Sequence, residues 1–356
     1  GNNTIREIFM AGPHEYSGSG RVTSELALAQ FIGIVAQIHQ EGLRVNLLFN
    51  SVCEGSDWYS PDVLARKMEY LRLAHKEHGV EAVTVANPIL IREVRKRFPD
   101  LEICASVLSD IDSVQKALVF KECGANTITP DANINRNLPL LIEIKKATGV
   151  ELKIMVNEGC LYRCPFRKFH FNYLSHLSLT AGKTEGGIRS FPAEGCLPMA
   201  AADPSQLLRS GWVRPEDLGR YEEVTSFFKI VGRASPRSRA LRSLKAYMTE
   251  SWDGDLLDIM DGCLRFFSQR YGAYIDNQKL GEFFQDVGSC AGGCGRCDHC
   301  GDLARKLLLL GWFTPEKLRD MNCEDLAERL ERGDPALKAS RHGTARMLLP
   351  HPVAEK

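Results

Sequence analysis

"EAVTVANPILIREVRKRFPDLEICASV", residues 81–107, sets the pattern that the rest of the chain follows. Residues 81–87 form a short apolar, β-branched run. From Ile89 to Arg97 the apolar residues recur at helical spacing, and "EICASV" from residue 102 returns to strand character. Two short apolar runs joined by an amphipathic helix make a βαβ unit, whose strands must run parallel with helices covering the sheet.

The same beat extends in both directions. Upstream lie "IREIFMAG" (5–12), "LRVNLLFN" (43–50) and a helical pattern over 62–78. Downstream come a helix over 111–123, "NTITPDA", a helix over 137–148, "ELKIMVN" (151–157) and, after an irregular region, "SFFKIVGR" (226–233). The fold class expected is α/β, a (β/α) TIM-like barrel. Polar residues stand just after the strands, where barrel enzymes build their sites: Asn50, Asn87, Ser106, Asp131 with Asn133, Asn157 with Glu158, and Arg233. A doubly wound open sheet is the alternative, but no GxGxxG follows a strand. Because the first strand begins near residue 5, an initial βα unit is expected to be lacking. Past Pro236 helical patterns take over. The expected domains are a barrel over 1–235 with a cysteine-bearing insertion at about 158–215, a helical, cysteine-rich region over 236–335, and a loosely held tail over 336–356.

Equal numbers of acidic and basic residues, 45 each, give no electrostatic argument for a nucleic-acid or membrane surface. No apolar run approaches the roughly 18–20 residues that span a bilayer, and the opening residues do not read as a signal peptide, so a cytoplasmic chain is expected. Its twelve cysteines are then expected as reduced thiols. Five are scattered (Cys53, Cys104, Cys123, Cys263, Cys323) and read by default as small buried hydrophobes. Seven are grouped.

The first group opens in "NEGCLYRCPFRKFH" (157–170), directly after the strand "ELKIMVN": Cys160 and Cys164 are expected at the barrel mouth, with Cys196 folding back from the insertion. Three thiolates make an incomplete cage. The fourth ligand is open between Cys53, a thiol of the C-terminal run, and an iron left vacant for substrate. The second group, "CAGGCGRCDHC" (290–300), carries Cys290, Cys294, Cys297 and Cys300 as CxxxCxxCxxC. Structural zinc usually uses two CxxC pairs about 15–20 residues apart, so one compact run favours a [4Fe–4S] cluster over zinc. Its first three positions also match the spacing of radical S-adenosylmethionine enzymes, but they follow the barrel rather than its first strand.

Taken together, "NEGCLYRCPFRKFHFN", the upstream "ANINRN" and the downstream "FFKIVGR" resemble peptidase family U32, the collagenase-like peptidases, over most of residues 5–250. "FKIVGR" has Val231 where that family usually has glutamate. The resemblance implies a [4Fe–4S] cluster on Cys160, Cys164 and Cys196, so that one or two clusters are expected in the whole chain. It also implies either peptidase activity or the oxygen-independent hydroxylation that some members carry out on transfer RNA, ribosomal RNA or the ubiquinone ring, some taking the oxygen from prephenate.

The function expected is an iron–sulfur enzyme hydroxylating a small molecule or nucleoside, with an anionic substrate or oxygen donor. RNA and a protein partner of the same family are further partners considered, and no membrane is expected. Arg136, Arg167 and Arg233 would bind the anion through guanidinium forks, assisted by Asn157. Glu158 and His170 are the candidate proton carriers. The alternatives are a U32-type peptidase, for which no GxSxG or HExxH motif is present, and a binding protein with structural clusters.

Overall fold

The computed structural model describes residues 4–22, 25–180, 190–232, 235–288, 290, 292, 294–334 and 345–346. The chain divides into two compact units. The first comprises residues 1–131, 140–153 and 165–190, and the second comprises 132–139, 154–164 and 191–356. The sequence reading placed borders near residues 235 and 335. Instead the chain passes repeatedly between units, because segments 132–139 and 154–164 pack with the C-terminal half.

In the first unit the elements are β1 (Glu7–Ala11), α1 (Leu28–Gln40), β2 (Arg44–Phe49), α2 (Pro61–Arg72), β3 (Ala82–Val85), α3 (Pro88–Arg97), β4 (Glu102–Ala105), α4 (Val114–Cys123), β5 (Thr127–Ile128), most of α5 (Leu138–Thr148), β6 (Glu151–Leu152) and, later in the chain, α6 (Arg167–Ser178). Six strands form one parallel sheet in the order β1-β2-β3-β4-β5-β6. Leu47 pairs with Val83 and Val83 with Ile103. The apolar pattern explains the covering: every residue of β3 is buried, and so are Leu90, Ile91 and Val94 on one stripe of α3. Helix starts follow sequence chemistry, with Ser60, Asn87 and Ser113 accepting from amides of the first turn of α2, α3 and α4.

The sheet's interior holds a buried polar chain. Asn46 donates to Glu7 at 3.0 Å, Thr84 to Asn46 at 2.6 Å, and Lys153, just past β6, reaches Glu7 at 2.5 Å. Arg6, beside β1, pairs with Glu151 of β6 at 2.9 Å. The first and sixth strands are therefore joined by ion pairs, which requires a strongly curled sheet. An α/β fold with a parallel sheet is thus observed, and among the described residues its strand order is linear.

The second unit has β7 (Ile154–Met155) paired in parallel with β8 (Phe228–Lys229), and between them α7 (Leu197–Ala202) and α8 (Gln206–Arg209). Then follow α9 (Arg237–Met248), α10 (Gly262–Tyr271), β9 (Tyr274–Ile275), α11 (Phe283–Val287), α12 (His299–Leu307), β10 (Leu308–Leu309), β11 (Trp312–Phe313), α13 (Pro315–Asp320), α14 (Glu324–Glu331) and β12 (Ala345–Arg346). Among the described residues no helix is long and apolar enough to cross a membrane.

Candidate functional site

Where β7 ends, the chain turns sharply through Asn157–Cys160, and backbone contacts explain how. The Asn157 amide is fully engaged: its oxygen accepts from the Val231 amide at 2.8 Å, and its nitrogen donates to the carbonyls of Val231 (2.8 Å) and Ile259 (3.3 Å). The amide of Asp261 returns to the Asn157 carbonyl at 3.0 Å and that of Leu264 to Gly159 at 3.1 Å. Gly159 and Gly262 meet almost backbone to backbone. A Cβ on Gly159 would stand 2.0 Å from the Asp261 carbonyl; one on Gly262, at φ +64°, would stand 3.1 Å from the Cys160 nitrogen. Ser210 ties the turn down from below, its hydroxyl donating to the Cys160 carbonyl at 2.7 Å. Glu158 is buried, and its carboxylate accepts from the Cys160 amide at 3.1 Å.

This clasp brings cysteines from three separate segments together. Cys263, in the first turn of α10, is hydrogen-bonded to Cys196, which closes a wide helical turn leading into α7. The bond from Cys263 holds the Cys196 thiol below its usual range, helped by the amides of Cys196 and Leu197. The same bond, burial, and the nearby sulfurs of Cys196, Cys160 and Cys164 push the Cys263 thiol far up. Four thiols therefore share one neighbourhood. Among the described residues no three His, Cys, Asp or Glu side chains already form a cage for a single metal ion.

Three of the four were singled out in the sequence. The fourth, Cys263, was read as a core residue. A signal for it exists: the tripeptides Glu158-Gly159-Cys160, Glu194-Gly195-Cys196 and Asp261-Gly262-Cys263 repeat one acidic-Gly-Cys pattern. At Gly159 the backbones approach too closely for a side chain, and at Gly262 a left-handed φ and a 3.1 Å approach leave little room for one.

The remaining candidates are placed as follows. Cys53 lies in the first unit, its carbonyl accepting from the Ser51 hydroxyl at 3.1 Å. His170 and Arg167 lie on α6, also in the first unit. The His170 ring stacks on Phe171 at 5.6 Å, while Arg167 faces Asp110 at 3.6 Å and lies over the Phe171 ring at 5.1 Å. Arg136 lies in the second unit, donating to the carbonyls of Trp212 (3.0 Å) and Leu208 (2.7 Å). Arg233 lies outside the described residues.

Cys290, Cys294, Cys297 and Cys300 also belong to the second unit. Cys290 and Cys297 are exposed. Burial raises the Cys300 thiol, against the pull of Arg136 and Arg209 and with the push of Cys294 and Cys290.

The first unit also carries a cavity of about 460 Å³ at the carboxyl ends of β2, β3 and β4. Its walls include Trp58 stacked on Tyr59 at 5.6 Å, Ile89 and Phe120. Asn87 holds the Tyr59 hydroxyl at 2.7 Å.

Comparison with known proteins agrees with the motifs. The profile of peptidase family U32 matches residues 2–182. The uncharacterized protease MJ1657 of Methanocaldococcus jannaschii is 31% identical over 305 residues, 85% of this chain and 88% of its own length. The solved structure of the U32 peptidase Mk0906 aligns at 25% identity and a TM-score of 0.46, over 51% of this chain and 73% of its own.

Proposed function

This chain belongs to peptidase family U32, and from that premise we propose that it is an iron–sulfur enzyme of the family. Cys160, Cys164, Cys196 and Cys263 are the residues that would hold a [4Fe–4S] cluster. The observation that carries the reading is the convergence of these four thiols around Cys263. The donors fit the group: all are sulfur, the ligand that iron–sulfur cores take. When bound, such a cluster supplies one-electron transfer or a Lewis-acidic iron.

The chain's own residues supply the rest. The Asn157–Gly159 clasp fixes the ligand loop on α10, and the glutamate carboxylate of residue 158 spends an acceptor on that loop. Glu158 thus serves as a brace for Cys160. The reaction class proposed is oxygen-independent hydroxylation, or related redox chemistry, of a small molecule or nucleoside, with an anionic oxygen donor and Arg167 as its candidate anchor. The cavity beside Trp58 and Tyr59 offers flat apolar walls suited to a ring. RNA as the source of the nucleoside, and a partner chain of the same family, remain within this proposal.

The test is iron and sulfide analysis of anaerobically purified protein with its visible spectrum. Cys263→Ser should remove the same iron and sulfide as Cys160→Ser, and both should abolish turnover. Retention of the cluster in Cys263→Ser overturns the ligand set. The name of the M. jannaschii relative, an uncharacterized protease, favours a second reading, peptidase activity. Hydrolysis of gelatin that survives both substitutions would select it.

A further inference from the structure

Among the described residues, the hydrogen-bond and ring partners of Arg136 are all neutral. Its Nε and Nη1 donate to carbonyls, and the rings of Trp212 and Phe283 lie 4.2 and 5.0 Å from its guanidinium carbon. Its Nη2 is inaccessible to solvent and has no hydrogen-bond partner among the described residues. Burial pushes its pKa down to about 10; Tyr221, Cys300, Asp217 and Cys290 act the other way. Asp217 is already bound by Arg214 at 2.9 Å and Arg220 at 3.3 Å. Tyr221 is a buried phenol donating to the Asn135 carbonyl at 2.6 Å, and burial pushes its ionisation far up, so it brings no charge. Of the four groups acting on Arg136, Cys300 and Cys290 are the two not otherwise accounted for. From the other side, the groups acting on Cys300 are Arg136, Arg209, Cys294 and Cys290. Arg209 is occupied with Asp203 at 3.0 Å. The packing places Arg136 by the same C-terminal run: α12, which carries Cys300, packs on α8, whose Leu208 carbonyl Arg136 holds, and Cys300 and Cys290 are the two thiols of the run that act on the arginine.

We propose that Cys290, Cys294, Cys297 and Cys300 hold a second iron–sulfur cluster and that Arg136 is its fixed counter-charge. Desolvating a cation without an anion is costly, and four thiolates on an iron–sulfur core carry net negative charge, so each feature offsets the other's cost. Reduction adds further negative charge, and a fixed cation favours the reduced state. Arg136 therefore acts as a positioning residue that raises the cluster's reduction potential. The run is also seated in the second unit: a Cβ on Gly292, at φ +72°, would come within 2.3 Å of the Tyr162 hydroxyl. This second site does not depend on what Cys160, Cys164, Cys196 and Cys263 hold.

The experiment uses the full chain, purified anaerobically, with iron and sulfide analysis and a redox titration followed by electron paramagnetic resonance. Replacing Cys294 and Cys297 by serine should remove roughly four iron atoms per chain and one reduced-cluster signal. Cys160→Ser should leave that signal in place, which separates this proposal from the reading of the first site. Arg136→Gln should keep iron and sulfide at the wild-type level but shift that same signal to lower potential, and Arg136→Lys, which retains the charge, should restore most of the shift. Zinc without sulfide in the run overturns the proposal. So does an unchanged potential in Arg136→Gln, or an equal loss of iron from the Gln and Lys variants, which would mark a packing role alone.

Discussion

Cys160 and Cys263 are held together by the two glycines beside them, and that arrangement can be tested one atom at a time. Gly159→Ala places a methyl group 2.0 Å from the Asp261 carbonyl, a distance that backbone cannot accept without moving. We expect the substitution to lower bound iron while leaving far-ultraviolet circular dichroism of the chain nearly unchanged. Gly262→Ala adds left-handed backbone strain worth about 1–2 kcal/mol, to be read as a lower urea midpoint, whereas Gly55→Ala, with nothing near it, should carry the strain without the loss of iron. Cys160, Cys164 and Cys196 were singled out in the sequence because they cluster near a strand end or within one insertion. Cys263 was not, because a buried cysteine in an amphipathic helix is indistinguishable from core by spacing alone; only its Asp-Gly prefix set it apart. For Arg136 the sequence suggested a ligand from its place after a strand, whereas the carbonyls its guanidinium meets, those of Leu208 and Trp212, lie far along the chain.

Secondary elements were the most legible layer. The strand-helix beat over 43–157 falls on β2 through β7 to within a few residues, because strands buried on both faces must be continuously apolar. Two similar stretches, "SGWVRPEDL" (210–218) and "LGWFTPEKL" (310–318), both begin a helical turn at proline, but they are finished differently. Thr314 caps α13 through the Lys317 amide at 3.0 Å, whereas Arg214 turns its side chain back to Asp217. What the pattern hid is the ion pair that anchors α13: Lys317 reaches Asp255 at 2.7 Å with both side chains fully buried. Burial pushes the Asp255 carboxyl up to about 6, with Lys317 opposing it and Asp258 adding to it. Such an acid contributes stability in its protonated form below its unfolded value near 3.9, and loses it as pH rises through about 6. Lys317→Met should cost about 3–5 kcal/mol at neutral pH, since it leaves a buried carboxylate unpaired. Because Asp255 then titrates still higher, the deficit should be smaller at pH 5 than at pH 8; denaturant titrations at the two values measure it. An equal deficit at both would mean that Asp255 is not the group responsible.

At the scale of the molecule, composition and periodicity conveyed an α/β chain but not its division into units, because the border is drawn by loops and not by a linker. Residues 132–139 and 154–164 carry Asn135, Asn157 and Gly159, each of which meets a residue beyond 210: Gly211, Val231 and Asp261. The consequence for exchange is specific. If a cluster is bound by the four thiols, removing it with a chelator under oxidising conditions should speed amide exchange at Asp261 and Leu264, whose bonds form the clasp, and leave β2, β3 and β4 protected. Uniform loss of protection through both units would refute the local coupling. The clasp also imposes an order on biogenesis. A chain emerging from the ribosome exposes Cys160, Cys164 and Cys196 well before α10 exists, so for a long interval three thiols stand without Cys263. If the four thiols hold a cluster, machinery that delivers iron and sulfide must wait for the C-terminal half, or shield the nascent thiols until Gly262 can close against Gly159.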